Sequence, residues 1–231
     1  MACSEKLFTS KRQWLDHRGI GGSDLAILMG DNRWGSLHEL YQRLALGIEE
    51  EKKSSQLMDD GTKAEPNIRN LFALDNPMYE VTNPPKKGYW LFTDKDKPYM
   101  TVTPDGLIKD KERNVEGGLE IKYVSVFREK DANIWENNGV PMNYFWQVIQ
   151  YMAVMPNLQF VILNAHLKYF RPGLKGGIDY AVDRIYLFTR DDYKSDIEEA
   201  VKAETSFYEN CVMKKAEPKT IYDFINGKEP H

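Results

Sequence analysis

Thr103-Pro104-Asp105-Gly106 and, a little further on, Leu119-Glu120-Ile121-Lys122 are the two segments on which the reading of this chain turns. An aspartate ends an extended run at a turn. After a short, polar, glycine-containing excursion a second strand brings Glu-x-Lys. Side chains alternate across a strand, so Glu120 and Lys122 share one face while Ile121 points the other way, into the core. Two adjacent antiparallel strands would then converge Asp105, Glu120 and Lys122 on one spot. Hard oxygen ligands suit Mg²⁺, which keeps several waters and takes only one or two carboxylates. Asp105 and Glu120 would supply them, and the main-chain carbonyl of Ile121 offers a third ligand. A metal held there acidifies a bound water and offsets charge on a phosphorane-like transition state. Lys122 would orient or deprotonate that water, or neutralise the phosphate; a lysine beside two carboxylates normally stays protonated, which favours the positioning and charge role. Asp-Gly turns and charged strand edges also occur in ordinary solvent-facing hairpins, so the pattern alone leaves that alternative standing.

Working outward, the segment from Tyr79 to Val124 is rich in proline, glycine, aromatic and β-branched residues. It predicts strands near 79–82, 88–93, 99–103, 106–109 and 117–124. Upstream, residues 11–47 read as two helices around a glycine-containing turn. The first approaches through Trp14 and resumes at Ser23, a plausible N-cap. The second begins near Ser36, carries Leu37, Leu40, Tyr41 and Leu44 at helical spacing, and stops at Gly47. A polar connection over 48–56 leads to a helix over 57–74. Downstream lie an apolar helix over 142–155, strands near 158–168 and 178–188, and an amphipathic helix over 191–214. This order predicts an α/β fold, a mixed central β-sheet flanked by helices, in a single domain over 1–231.

Composition narrows the function classes. The 231 residues are long enough to bury a real core, and 42% are apolar. No stretch approaches the ~20 apolar residues of a membrane span. Met1 to Thr9 lacks the apolar centre of a signal peptide, which points to a cytoplasmic protein without a membrane partner. Two cysteines, Cys3 and Cys211, make neither a disulfide framework nor a zinc site, and cannot hold a four-cysteine iron–sulfur cluster. The formal net charge of −4 speaks against a sequence-independent DNA coat but leaves room for a local basic groove.

Further residues support the central pair. Gly61-Thr62-Lys63-Ala64-Glu65-Pro66 sits within a helical pattern. Glu65 is either an exposed acid paired to Arg69 at i+4 or a third acid of the site. Gln147 and Tyr151 lie four apart on one helical face. Core packing explains Tyr151, whereas a glutamine amid Phe145, Trp146, Val148 and Ile149 needs polar partners.

Taken in order, these pieces resemble the lambda-exonuclease/YqaJ-type viral recombinases of the PD-(D/E)xK nuclease superfamily. The resemblance runs from Trp14-x-x-x-Arg18 and Gly19-Ile20-Gly21-Gly22-Ser23-Asp24 through Gly61-x-x-x-Glu65, Thr103-Pro104-Asp105-Gly106 and Leu119-Glu120-Ile121-Lys122 to Gln147-x-x-x-Tyr151. It implies a restriction-endonuclease-like core with Glu65, Asp105, Glu120 and Lys122 as catalytic centre and Gln147 beside it. It implies Mg²⁺, with Mn²⁺ as substitute. It also implies a pocket for a terminal 5′-phosphate at Arg18, Ser23, Thr103 and Arg128. Arginine forks and hydroxyls suit phosphate, and a helix N-terminus adds its dipole. The double glycine would let backbone approach a ligand closely. The activity so implied is 5′–3′ digestion of linear double-stranded DNA, leaving 3′ single strands for recombination. The implied assembly is a toroidal homotrimer, with a single-strand annealing protein as partner, in a phage or prophage of a bacterial host.

The chain departs from the lambda-type pattern after Lys122, where Tyr123-Val124 replaces Cys-Pro. Trp34 reads as a core or subunit-contact tryptophan in preference to a wedge stacked on an end base. Three other functions fit the same residues less well: a structure-specific or restriction-type endonuclease, a non-catalytic DNA-end-binding protein, and a metal-dependent enzyme on another phosphate. The intact Asp105, Glu120 and Lys122 argue against a retired site.

Overall fold

The computed structural model describes residues 3–32, 34–48, 55–137, 139–170 and 177–221. The amino-terminal part carries β1 (Cys3–Phe8), α1 (Lys11–His17), α2 (Gly22–Leu28) and α3 (Leu37–Tyr41), the last extended by a π-helical turn, Gln42–Leu46. Next come α4 (Gln56–Asp75), β2 (Tyr79–Thr82), β3 (Tyr89–Asp94), β4 (Thr101–Val102), β5 (Gly106–Asp110) and β6 (Val115–Val126). The chain continues through α5 (Glu129–Glu136), α6 (Met142–Val154), β7 (Leu158–Phe170), β8 (Ile178–Thr189) and α7 (Lys194–Phe207), the last extended by the π-helical turn Tyr208–Val212.

The strands form two sheets. The larger is mixed, with five strands in the order β2-β5-β6-β7-β8. The smaller has the order β1-β3-β4. β5 and β6 make an antiparallel hairpin whose turn sets Asn114 at φ 54°, a conformation asparagine tolerates better than most residues. β6 and β7 pair in parallel, which demands a crossover; α5 and α6 provide it.

Alternation along β6 decides what each face meets. Leu119 and Ile121 join Ile108, Phe160 and Ile162 under Ile68 and Phe72 of α4. The opposite face meets α6, whose Trp146, Val148, Ile149, Tyr151, Met152 and Val154 are all buried in the main core. Burying side chains of this size is worth ~1.5–3 kcal/mol each and is the main force holding helix to sheet. Arg190, after β8, donates to the carbonyls of Met152, Met155 and Leu158 at 2.7–2.9 Å, satisfying the open end of α6.

Several expectations shift. The amino-terminal region holds three helices where two were expected, because Arg18 to Gly21 break α1 from α2. Ser23 is not the N-cap of α2: Gly21 occupies that position, and Asp24 caps it by accepting from the Gly21 N–H at 2.9 Å. The strand expected over 99–103 shrinks to Thr101–Val102, because Met100 bridges to Ile20 instead, with Thr101 N donating to Ile20 O at 2.9 Å. β1 and α5 were not anticipated. β1 is largely exposed, and α5 buries only Trp135, so neither carries a clear apolar period. The polar connection expected over 48–56 falls mostly outside the described residues.

Candidate active site

The β5–β6 register sets Gly106 opposite Leu119, so Asp105 enters the sheet beside Glu120. Asp105 Oδ2 accepts from the Ile121 N–H at 2.7 Å, which ties the aspartate to the strand that carries the other two groups. Glu120 is buried and forms an ion pair with Lys122 through Oε1. Its Oε2 accepts the hydroxyl of Tyr151. Lys122 Nζ also donates to Gln147 Oε1 at 2.7 Å and lies 5.1 Å from the Tyr144 ring centre. The three residues of the motif therefore converge, with Gln147 and Tyr151 completing the cluster from α6.

Two glycines permit this proximity. A Cβ on Gly118 would stand 2.6 Å from Tyr151 Cδ1, so glycine lets the tyrosine ring approach β6 this closely. A Cβ on Gly22 would stand 2.9 Å from Gln147 Cα, so glycine sets the spacing between α2 and α6. Close backbone approach was expected to serve a ligand; at Gly22 it serves helix packing.

The electrostatics follow from crowding. Burial first, then the charges of Glu120 and Glu65, pushes the Asp105 carboxyl well above the usual carboxylate range. Burial alone would pull Lys122 down, but Glu120 and Asp105 overcome it and hold the ammonium at about 12. Lys122 thus sits as a cation beside the two acids. Glu65, half-buried on α4, pairs with Arg69, as the ordinary reading of this helix required. It also lies near enough to Glu120 and Lys122 for their charges to act on it, and burial raises its carboxyl. Among the described residues, no three His, Cys, Asp or Glu side chains are already gathered into a metal cage. The donor set still fits a hard divalent cation: two carboxylates and the Ile121 carbonyl, with like charges crowded enough to raise Asp105.

Residues expected to hold a terminal phosphate are only partly joined. Arg18 Nη2 donates to Ser23 Oγ at 3.2 Å, and its guanidinium lies 5.5 Å from the Trp14 ring centre. Trp14 Nε1 in turn donates to Thr103 Oγ1 at 3.3 Å. Arg128 is exposed and pairs with Asp131 at 2.7 Å. No hydrogen bond or ion pair among the described residues joins it to the other three. Sequence reasoning missed Arg43, which donates to the carbonyls of Arg18 and Gly19 and pairs with Asp24 at 2.8 Å. On its helix it reads as a plain surface charge. Trp34 is 79% exposed, so it is not a core residue.

A mixed sheet whose hairpin gathers two carboxylates and a lysine defines an α/β protein with a buried acidic cluster. The family model of the YqaJ-like viral recombinase domain matches residues 13–156, and the chain belongs to that family. Its fold is similar to that of an alkaline exonuclease (LHK-Exo) from Laribacter hongkongensis, with a TM-score of 0.61 at 19% identity over 89% of this chain and 96% of that one. The same exonuclease in complex with dAMP matches at 0.59 and 18% over the same shares. A phage-related exonuclease from Haemophilus somnus 129PT matches at 0.51 and 12%, over 88% of this chain and 99% of that one. No curated protein matches the sequence. No helix among the described residues is long and apolar enough to cross a membrane.

Proposed function

We propose that this protein is a divalent-metal-dependent exonuclease that digests linear double-stranded DNA from its 5′ ends and leaves 3′ single strands for strand annealing. The observation that carries this reading is the convergence of Asp105, Glu120, Lys122 and Gln147 in a chain of the YqaJ-like family. Membership of that family and a fold shared with exonucleases support DNA as substrate.

Asp105, Glu120 and the Ile121 carbonyl would hold Mg²⁺, with Mn²⁺ able to replace it. Such a cation, when bound, supplies an acidified water and offsets charge on the scissile phosphate. The protein's own residues do the rest. Lys122 keeps its proton and directs it at a non-bridging phosphate oxygen or at the attacking water. Gln147 accepts from Nζ and fixes where the ammonium points. Tyr151 donates to Glu120 and holds its second oxygen in place. Glu65 completes the acidic wall. Arg18, Ser23 and Thr103 would grip the terminal 5′-phosphate, with Arg128 joining once its bond to Asp131 is exchanged.

Such an enzyme works as one domain in the cytoplasm of a bacterial host carrying the phage or prophage, as a homotrimer, feeding a single-strand annealing protein. The deciding experiment offers linear and covalently closed circular duplex DNA with and without Mg²⁺. Digestion of the linear form alone, and only with metal, is expected. Cutting of the closed circle would replace this reading with an endonuclease.

A further inference from the structure

Away from the acidic cluster, one polar pair lies wholly inside the protein. Gln150 of α6 and Glu204 of α7 are both 0% exposed. Gln150 Nε2 donates to Glu204 Oε1 at 2.8 Å, and to the carbonyls of Ile20 and Thr101 at 3.1 and 3.2 Å. Those carbonyls fix which way the amide is turned, because a flipped Gln150 would aim its own oxygen at two acceptors. The amide nitrogen has two hydrogens. One serves Glu204, and the other is shared by the two backbone carbonyls. Gln150 Oε1 and Glu204 Oε2 then remain, both buried and both without a hydrogen-bond partner among the described residues. They belong to the two residues already joined, so a single proton shared between them would satisfy both.

We propose that Glu204 carries that proton on Oε2 and donates it to Gln150 Oε1, closing a reciprocal acid–amide ring that braces α6 against the Ile20 and Thr101 backbones. An ionised Glu204 would strand a full charge and an amide oxygen in the interior. The groups facing it deepen that cost. Asp24 of α2 and Asp94 of β3 are acids whose charges act on Glu204. Asp24 already pairs with Arg18 and Arg43, and Asp94 accepts from the N–H groups of Asp96 and Lys97. Tyr99, whose phenol feels both Glu204 and Glu209, donates its hydroxyl to Thr205. Burial above all, with Asp24 and Asp94 adding to it, pushes the Glu204 carboxyl well above its ordinary value.

The brace has a use. Ile20 lies between Arg18 and Ser23, and Thr101 lies two residues before Thr103. The ring ties both segments to the helix that bears Gln147 and Tyr151. Glu204 and Gln150 are therefore positioning residues. That role, unlike the proton itself, rests on the phosphate-pocket reading above.

Glu204→Gln supplies the test, because its amide donates to Gln150 Oε1 with no titratable proton and keeps the ring. In the infrared difference spectrum of wild type minus E204Q at neutral pH, a protonated carboxylic-acid band is expected. A carboxylate band would overturn the proton assignment. Stability gives a second measure. The folded-state pKa is raised, so both states are protonated at low pH. Above the ordinary carboxylate value only the folded state keeps its proton. The folding equilibrium constant of wild type should then fall about tenfold per pH unit relative to E204Q, until the folded carboxyl ionises. A pH-independent difference would equally overturn it. The positioning role is read by fluorescence anisotropy on a 5′-phosphorylated duplex without metal. Glu204→Leu, folded by circular dichroism, should bind about tenfold more weakly than E204Q. If E204L does not fold, Gln150→Leu takes its place. Equal affinity in a folded ring-less variant would remove the positioning role while leaving the proton in place.

Discussion

At the scale of single residues, Lys122 links the motif strand to α6. It touches Glu120, Gln147 and the face of Tyr144, and it stays charged because two acids outweigh its burial. Replacing Asp105, Glu120 or Lys122 by alanine is expected to lower DNA digestion by a factor of ~10²–10³. Initial rates on linear duplex, with melting curves to certify the fold, check this. A folded variant with near-normal rates would remove that residue from the machinery. Asp105→Asn is the cleaner probe of the aspartate, since alanine also strips the Ile121 N–H of its acceptor. Arg18 belongs to a second argument. An arginine–phosphate contact contributes ~1.5–3 kcal/mol, so a 5′-phosphorylated duplex should be digested ten-fold or more faster than a 5′-hydroxyl one. Arg18→Ala should narrow that difference at fixed salt, because nonspecific phosphate binding varies steeply with salt. Arg128→Ala should narrow it less, since Arg128 is engaged with Asp131. Equal wild-type rates on the two kinds of end would remove the pocket.

At the scale of elements, the site depends on how closely α6 and α2 approach their neighbours. Gly118→Val would drive a methyl-bearing carbon into Tyr151, and overpacking of this kind costs ~1–3 kcal/mol. The tyrosine would be pushed off Glu120, so activity should fall further than the loss of stability explains. Denaturant titration and digestion rates on one preparation separate the two effects; an unchanged rate would show that the Tyr151–Glu120 contact is dispensable. The same elements explain what the sequence revealed. β6 was legible because its alternation is strict: Leu119 and Ile121 to one side, Glu120 and Lys122 to the other. α4 and α6 were legible from helical period and length. β1 and α5 were not, since an edge strand and a short exposed helix leave little apolar pattern. The polar partners of α6 needed the third dimension. The sequence drew attention to Gln147, which is half-buried, while the fully buried amide is Gln150. Its partner Glu204 lies on another helix, where it reads as one more surface acid of α7. The division of the strands between two sheets was likewise invisible, because pairing depends on long-range register and not on the strand's own residues.

At the scale of the whole molecule, the question is how an acidic protein holds DNA. The formal net charge is −4, and a chain of that sign gains no general attraction to a polyanion. Attraction must come from local placement of cations, and a closed ring with basic residues turned inward achieves it while leaving an acidic exterior that faces solvent. A ring would also explain how an exonuclease stays on its substrate between cuts: each cut would yield a new terminal 5′-phosphate for the proposed Arg18 pocket, and encirclement would prevent escape. Cyclic symmetry closes such an assembly with a head-to-tail interface repeated around one axis. By its resemblance to the lambda-type exonucleases, the protein is expected to be a homotrimer at micromolar concentration, as measured by light scattering coupled to size-exclusion chromatography. Digestion should be processive, with single substrates consumed end to end while others remain intact in excess DNA. Dilution below the concentration at which the trimer persists should convert processive to distributive digestion, with the chemistry of each cut unchanged. A stable monomer with full processivity would overturn the ring and leave the terminal-phosphate pocket alone to hold the enzyme on its strand.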